Sequence, residues 1–360
     1  MQGSIFSGLR VVELAGVLAG PAVGMFFSEL GAEVIKVENA TTGGDVTRRW
    51  KGPNETADAS FSAYYASINY GKDTMMADLT EPADRDKIYQ LLADADIVIT
   101  NFREQSAKKL GMAPAVLRKH SPQLIIAELS AFGRKASRPA FDVVLQAEAG
   151  FLFMCGYPGQ PPAKMPVALI DLLAAHQLKE GILCALIHRL RTGEGSIVRT
   201  SLLEAAIASL ANQATNWLMG GHIPQRMGTQ HPNIAPYGDM FTTHDGKPIV
   251  LAVGTEKQFR QLLRILGCPE VSQHPDFASN ARRVQHRESL FSILQEKVSK
   301  VKRDVLLSRL EEAGVPAGAI RNMQEVFELP QARSLLLHYK LPNGEPATCV
   351  RTAAFAIDVE

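Results

Sequence analysis

One acid set in apolar surroundings is the first candidate for chemistry. Asp171 interrupts the run Pro166-Val-Ala-Leu-Ile-Asp171-Leu-Leu-Ala-Ala, and an Ala- and Leu-rich stretch continues to Arg189-Leu-Arg191-Thr-Gly193-Glu-Gly195. A carboxylate is costly to bury without partners. Asp171 therefore either caps a helix or does chemistry, and the residues alone leave both open. His176 lies five residues on, about one helical turn away. A metal centre needs further converging ligands, and neither HExxH nor any CxxC pair occurs, so no metal is expected and His176 reads as a locally packed helical residue. The GxSxG elbow of serine hydrolases is also missing.

Three further clusters could meet a ligand. Gly16-Val-Leu-Ala-Gly20-Pro21, with Glu38 22 residues past Gly16, has the outline of a dinucleotide site. The glycines fall at 16, 20 and 24 instead of in GxGxxG, so the alternatives are close helix–strand packing or backbone approach to another nucleotide or a pantetheine-type ligand. Asn101-Phe102-Arg103, followed by Lys108 and Lys109, is either a helix entry with solvated basic residues or a set of phosphate donors. Arg134, Lys135 and Arg138 after Phe132-Gly133 admit the same two readings.

The elements that must position these residues follow from pattern. Leu9–Leu14 and Glu33–Glu38 read as buried strands around a helix that carries Pro21 in its first turn and stops at Gly31. A βαβ unit this tight predicts a parallel sheet and an α/β fold. Asp96–Thr100 and Gln123–Leu129 are further strands, which puts Asn101–Arg103 just past a strand's carboxyl end, where ligands bind in open α/β sheets. Asn39–Ser60 reads as a long functional loop, and a helix follows Pro82. Long helices are predicted over roughly 171–191 and 201–219. The expected organisation is a large domain over 1–220, a Gly-, Pro-, His- and Asn-rich linker over 221–236, and a small α+β domain over 237–317. A segment over 318–360 is expected to return to the large domain. The small domain opens with a hairpin turning at Asp245-Gly246.

Composition narrows the classes. With 360 residues, 46% apolar residues and a net charge of +1, the chain has material for a large core and lacks the basic excess of a nucleic-acid binder. Its four cysteines are scattered, no basic-then-apolar leader opens the chain, and no apolar run reaches membrane-spanning length. A cytoplasmic protein with no nucleic-acid or membrane partner is expected.

Taken together, several segments resemble one family. They are Gly8–Ala15, Ala19-Gly20-Pro21, Leu30–Glu38, Ala95–Arg103, Phe141-Asp142 with Gln146-Ala147, Asp171, Arg191–Gly195, Pro232–Gly238 and Ala313–Gly318. In order and over nearly the whole length, these resemble the class III (CaiB/BaiF) CoA-transferases. The resemblance implies a Rossmann-like large domain, a smaller domain and two chains interlocked as rings. It implies coenzyme A as the carried group, with an acyl-CoA and a small carboxylic acid as substrates and Asp171 as nucleophile. It suggests CoA contacts from Val17, Leu18, Ala19, Ala77, Asp78, Leu79, Thr80, Asn101, Phe102, Arg103, Lys109, Ser130, Ala131, Phe132 and Gly133. Where many relatives carry a nucleotide-binding Arg, this chain has Asn39, and Lys36 or the 134–138 basic group are the candidates to compensate.

That chemistry suits a carboxylate, which at its reference pKa near 3.9 is ionised at neutral pH without a separate base. Two alternatives stand beside transfer: a 2-methylacyl-CoA racemase of the same family, and a non-catalytic CoA-binding protein. Racemase relatives carry a His immediately before the acid that here is Asp142. This chain has Phe141, which has no proton to exchange, so transfer is favoured.

Overall fold

The computed structural model describes residues 5–136 and 138–357. The chain divides into two compact units, one of Met1–Phe153, Lys164–Pro224 and Arg333–Glu360, the other of Met154–Ala163 and Gln225–Ala332.

The first unit is built on a six-stranded sheet: β1 (Arg10–Glu13), β2 (Glu33–Asn39), β3 (Asp73–Ala77), β4 (Ile97–Thr100), β5 (Ile125–Ser130) and β6 (Ile197–Ser201). The order is β3-β2-β1-β4-β5-β6, and every neighbouring pair is parallel. This is the Rossmann order, and its direction reverses between β1 and β4, where a crevice opens beyond the strand ends. The strands are buried on both faces because their side chains alternate between two cores. Val11, Ile97 and Ile99 join a cluster with Phe27, Ile170 and Leu178. Val12 and Val98 join another with Ile88, Leu92 and Leu117.

The helices of this unit are α1 (Ala19–Glu29), α2 (Ala63–Ala66), α3 (Pro82–Ala93), α4 (Glu104–Lys109), α5 (Pro114–His120), α6 (Asp142–Glu148), α7 (Phe151–Met154, running into the second unit's first residue), α8 (Leu169–Thr192), α9 (Leu202–Ala208) and α10 (Ala211–Gly220). Helix α1 ends where predicted, at Gly31 with φ of 99°, and Gly193 in the left-handed region stops α8. The long helix expected over 201–219 is two helices. The chain breaks between α9 and α10 and Ala211 takes φ of 48°. Strands β3 and β6 carry no apolar run that would mark them in the sequence. Thr74 and Met75 are only partly buried and Met76 is exposed at a sheet edge, and β6 reads Ile-Val-Arg-Thr-Ser.

The second unit holds β7 (Tyr237–Thr242) and β8 (Pro248–Ala252), the predicted hairpin, with β9 (Ala317–Ala319) completing an antiparallel sheet. Its helices are α11 (Glu256–Ile265), α12 (Asn280–Gln285), α13 (Arg287–Val298), α14 (Arg303–Glu312), α15 (Met323–Phe327) and α16 (Pro330–Arg333, which ends at the unit boundary). Phe241, Ile249, Phe259, Leu262 and Leu294 form its core. In the first unit, β10 (Leu336–Lys340) and β11 (Pro346–Val350) make a two-stranded ribbon. Tyr339 of that ribbon donates to the Ala66 carbonyl at 2.7 Å.

Candidate active site

A cavity of about 760 Å³ opens at the switch point of the large sheet. Its walls are the segments that leave β1, β4 and β5, together with the N-terminal ends of α8 and α9. Of the residues predicted from sequence, Val17, Leu18, Ala19, Asn101, Phe102, Arg103, Ser130, Ala131, Gly133 and Asp171 line it. Lys109, Phe132 and Ala77 to Thr80 are not among its lining residues. Phe132 lies under the Arg138 guanidinium at 4.6 Å. Asp78 accepts bonds from the Thr80 N–H and hydroxyl, closing the turn into α3.

Asp171 is the third residue of α8, and capping is done by another side chain. The N-cap position is Ala168, which has no side-chain acceptor to offer. Asp142, at the start of α6, reaches across and accepts from the N–H of Ile170 at 2.7 Å and of Asp171 at 3.4 Å. Its second oxygen accepts from the Gln146 amide at 2.5 Å, and Gln146 in turn accepts from the Met165 N–H at 3.0 Å. The helix entrance is thereby satisfied, which leaves the Asp171 carboxyl, 7% exposed, facing the cavity.

That environment sets its ionisation. Burial, with the Asp142 charge adding to it, pushes the Asp171 carboxyl up to about 7. The expectation that it is fully ionised at neutral pH is therefore corrected. Tyr64 is raised to about 12 by burial and by the charges of Asp171, Asp142 and Asp45, so its hydroxyl stays protonated beside these acids. Trp50 packs edge-on against Tyr64, with centroids at 5.0 Å, and against Phe141 at 6.1 Å. Phe141, 58% exposed, lines the cavity as an aromatic wall.

The dinucleotide reading fails on geometry. Glu38 is bound by Arg48 through two 2.7 Å contacts, by the Asp45 N–H at 2.6 Å and by the Tyr65 hydroxyl at 2.7 Å, which leaves nothing for a ribose. A Cβ on Gly20 would collide with that of Ala15, and one on Gly24 with the Glu13 carboxylate. These glycines serve close helix–strand packing.

The family model for CoA-transferase family III matches residues 6–360. The chain belongs to that family. A succinate–glutarate CoA-transferase of Agrobacterium fabrum is 39% identical over 354 residues, covering 96% of this chain and 88% of the relative. An acetyl-CoA:oxalate CoA-transferase of Acetobacter aceti is 33% identical, with 92% and 85% covered. A CaiB/BaiF family protein from Brucella suis superposes with a TM-score of 0.87 at 37% identity, covering 100% of this chain and 94% of that one. The protein is an acyl-CoA:carboxylate CoA-transferase, and coenzyme A is the group its family carries.

In this transferase Asn39 caps a short turn by accepting from Thr41. Lys36 does not take the place of the relatives' Arg. It is buried, with its ammonium on Glu13 at 2.8 Å, the Ala15 carbonyl at 2.9 Å and Asp45 at 3.1 Å. Arg134 and Arg138, from the other basic group, do line the cavity. Arg138 pairs with Glu148 at 2.6 Å. His176 is exposed on α8. Among the described residues no group of three or more His, Cys, Asp or Glu side chains is placed to hold a metal ion, and no helix is long and apolar enough to cross a membrane.

Sequence reasoning missed the shaping roles of Asp45, Trp50 and Tyr64, and saw Asp142 and Gln146 only as part of a motif. Trp50, one of two tryptophans, and Asp45 both lie in the Asn39–Ser60 loop already marked as functional. The lone Trp of that loop was the available signal; Asp45 shares the loop with Asp58 and carries no mark of its own.

Proposed function

We propose that this protein moves CoA through a covalent thioester on Asp171. The observation that carries the reading is an acid in the wall of the switch-point cavity whose helix-capping work is done by Asp142. The Asp171 carboxylate attacks the carbonyl of an acyl-CoA, giving a mixed anhydride and CoA thiolate. The thiolate then attacks the aspartyl carbonyl, which forms the aspartyl-CoA thioester and frees the donor acid as its carboxylate. An acceptor carboxylate attacks that thioester, the thiolate leaves and attacks the acceptor's carbonyl, and the new acyl-CoA departs with Asp171 regenerated. The thioester's free energy is carried through each exchange. The backbone at Val17–Ala19, together with Asn101–Arg103, Ser130, Ala131 and Gly133, supplies the CoA contacts. Arg103 and Arg134 act as charge-assisted phosphate donors. Lys109, Phe132 and Ala77–Thr80 are left out of this set because they lie off the cavity wall.

The acids are short dicarboxylates, by analogy with the Agrobacterium relative's named substrates. The functional unit is a homodimer. Trp217, Leu218 and Met219, at the end of α10, are 53%, 78% and 85% exposed, an apolar patch that a second copy would cover. Cytoplasmic residence fits the unpaired cysteines. The test is to mix the protein with succinyl-CoA, reduce with borohydride and map the peptides. Reduction at Asp171 is expected under turnover, and an unmodified Asp171 with modification elsewhere would reject the assignment. Light scattering checks the dimer.

A further inference from the structure

The cavity lip formed by residues 16–18 is strained and held from behind. Val17 has φ of 74°, a left-handed conformation that a β-branched residue strongly resists. Its N–H points at the Asp45 carboxylate, at 3.2 Å and 3.4 Å from the two oxygens. Gly16, beside it, is held at both polar groups by the Asn101 amide, at 3.4 Å and 3.0 Å.

Asp45 is itself fixed. It accepts from the Thr47 N–H at 3.0 Å and hydroxyl at 2.8 Å, and Lys36 stands at 3.1 Å. Lys36 bridges to Glu13 at 2.8 Å, and the other Glu13 oxygen meets Lys72 at 2.8 Å. These two acids and two lysines are neutral together, and their side chains are at most 2% exposed. A buried ionic group of this kind is weak evidence for stability. Its bonds to the backbone point elsewhere. Lys36 holds the Ala15 carbonyl, Asp45 the Val17 N–H and Lys72 the Pro21 carbonyl. Ala15 and Pro21 flank the segment that lines the cavity with Gly16, Val17, Leu18 and Ala19, Val17 lies within it, and none of the four charged side chains lines the cavity itself.

We propose that Asp45 is a positioning residue for CoA transfer: clamped by Lys36 and Thr47, it holds Val17 in its left-handed conformation and so sets the lip against which the CoA donor binds. This rests on the transfer reaction proposed above. In Asp45→Asn the amide must satisfy donors on every side, and one charge-assisted bond is lost. The expected result is about a tenfold fall in kcat/KM for the acyl-CoA donor, carried mainly by KM, with CoA affinity falling in parallel by calorimetry. Adding Val17→Gly removes the left-handed penalty, so the double variant recovers several-fold in kcat/KM and in CoA affinity over D45N. A purely structural role would move thermal stability alone and would show no such recovery.

Should D45N fold poorly, Thr47→Val removes one bond to Asp45 and is expected to raise KM about threefold. The proposal is overturned if D45N and T47V leave KM and CoA affinity within twofold of the parent, or if V17G gives D45N no recovery. It is equally overturned if the unaltered protein binds no CoA. A protein that binds CoA yet transfers it between no acids counts against the transfer reaction, while the binding comparison still decides the role of Asp45.

Discussion

Replacing Asp142 by Asn should change the pH dependence of transfer through Asp171. Two causes raise the Asp171 carboxyl to about 7, burial first and the Asp142 charge second. Only the ionised form attacks, and kcat/KM reports the free enzyme. At pH 6 about one tenth of the nucleophile is ionised, and at pH 5 about one hundredth. The acid limb for the acyl-CoA donor should therefore fall with unit slope below about pH 7, whereas an unperturbed aspartate would leave activity flat down to about pH 5. Asp142→Asn removes the like charge and keeps an acceptor for the Ile170 N–H. Its amide then faces the Gln146 amide, donor against donor, so Gln146 must turn and release the Met165 N–H. That costs about 1 kcal/mol of stability. The limb should move to lower pH and stop short of the ordinary carboxylate range, because burial remains. The assay is initial rates of succinyl-CoA turnover from pH 5 to 8.5 at subsaturating donor. A parent limb below pH 5, or a D142N limb that stays put or moves upward, would refute the assignment of causes.

Asp171→Asn should abolish transfer and change stability with the opposite sign to an ordinary buried-acid variant. The folded carboxyl binds its proton more tightly than the unfolded one, so the native state of the parent loses stability as pH rises from about 4 to about 7. Above pH 7 D171N should be the more stable by up to about 4 kcal/mol, the worth of about three pKa units, with the advantage fading toward pH 4. Urea midpoints measured across that range decide the point, and parallel pH curves for the two proteins would sink it. Gly24→Ala places a methyl group into the Glu13 carboxylate and 3.4 Å from the Lys72 side chain. The buried quartet must open, at about 3 kcal/mol or more; an unchanged urea midpoint would show that this helix–strand contact is loose.

The parts of the fold legible in the sequence were those governed by local pattern. The strands at 10–13, 33–39 and 97–100 are dense in Val and Ile, and glycines mark the ends of α1 and α8. Strand β3 was not legible because an edge strand that is half-buried needs no apolar run. The break between α9 and α10 was not legible because neither Ser209 nor Leu210 is a strong helix breaker. At the site, Asn101–Arg103 was found because strand ends in open α/β sheets have a known address, the 16–21 segment because of its glycines, and Ser130–Gly133 through the family resemblance. Lys36 and Glu38, which sequence reading offered to a ligand, are instead consumed by Glu13, Asp45 and Arg48.

By itself the sequence pointed to the parallel α/β frame, to a strand end where ligands bind and to Asp171 as an acid that either caps a helix or does chemistry, since each depends on neighbours along the chain. Only the tertiary structure decided how that acid behaves. Asp142 lies 29 residues from Asp171 along the chain and reaches the same helix entrance. Asp45 lies 28 residues from Val17 and binds its N–H. Desolvation and Coulomb interaction act through space, so a proton affinity or the shape of a lip belongs to whichever side chains folding brings within a few ångströms.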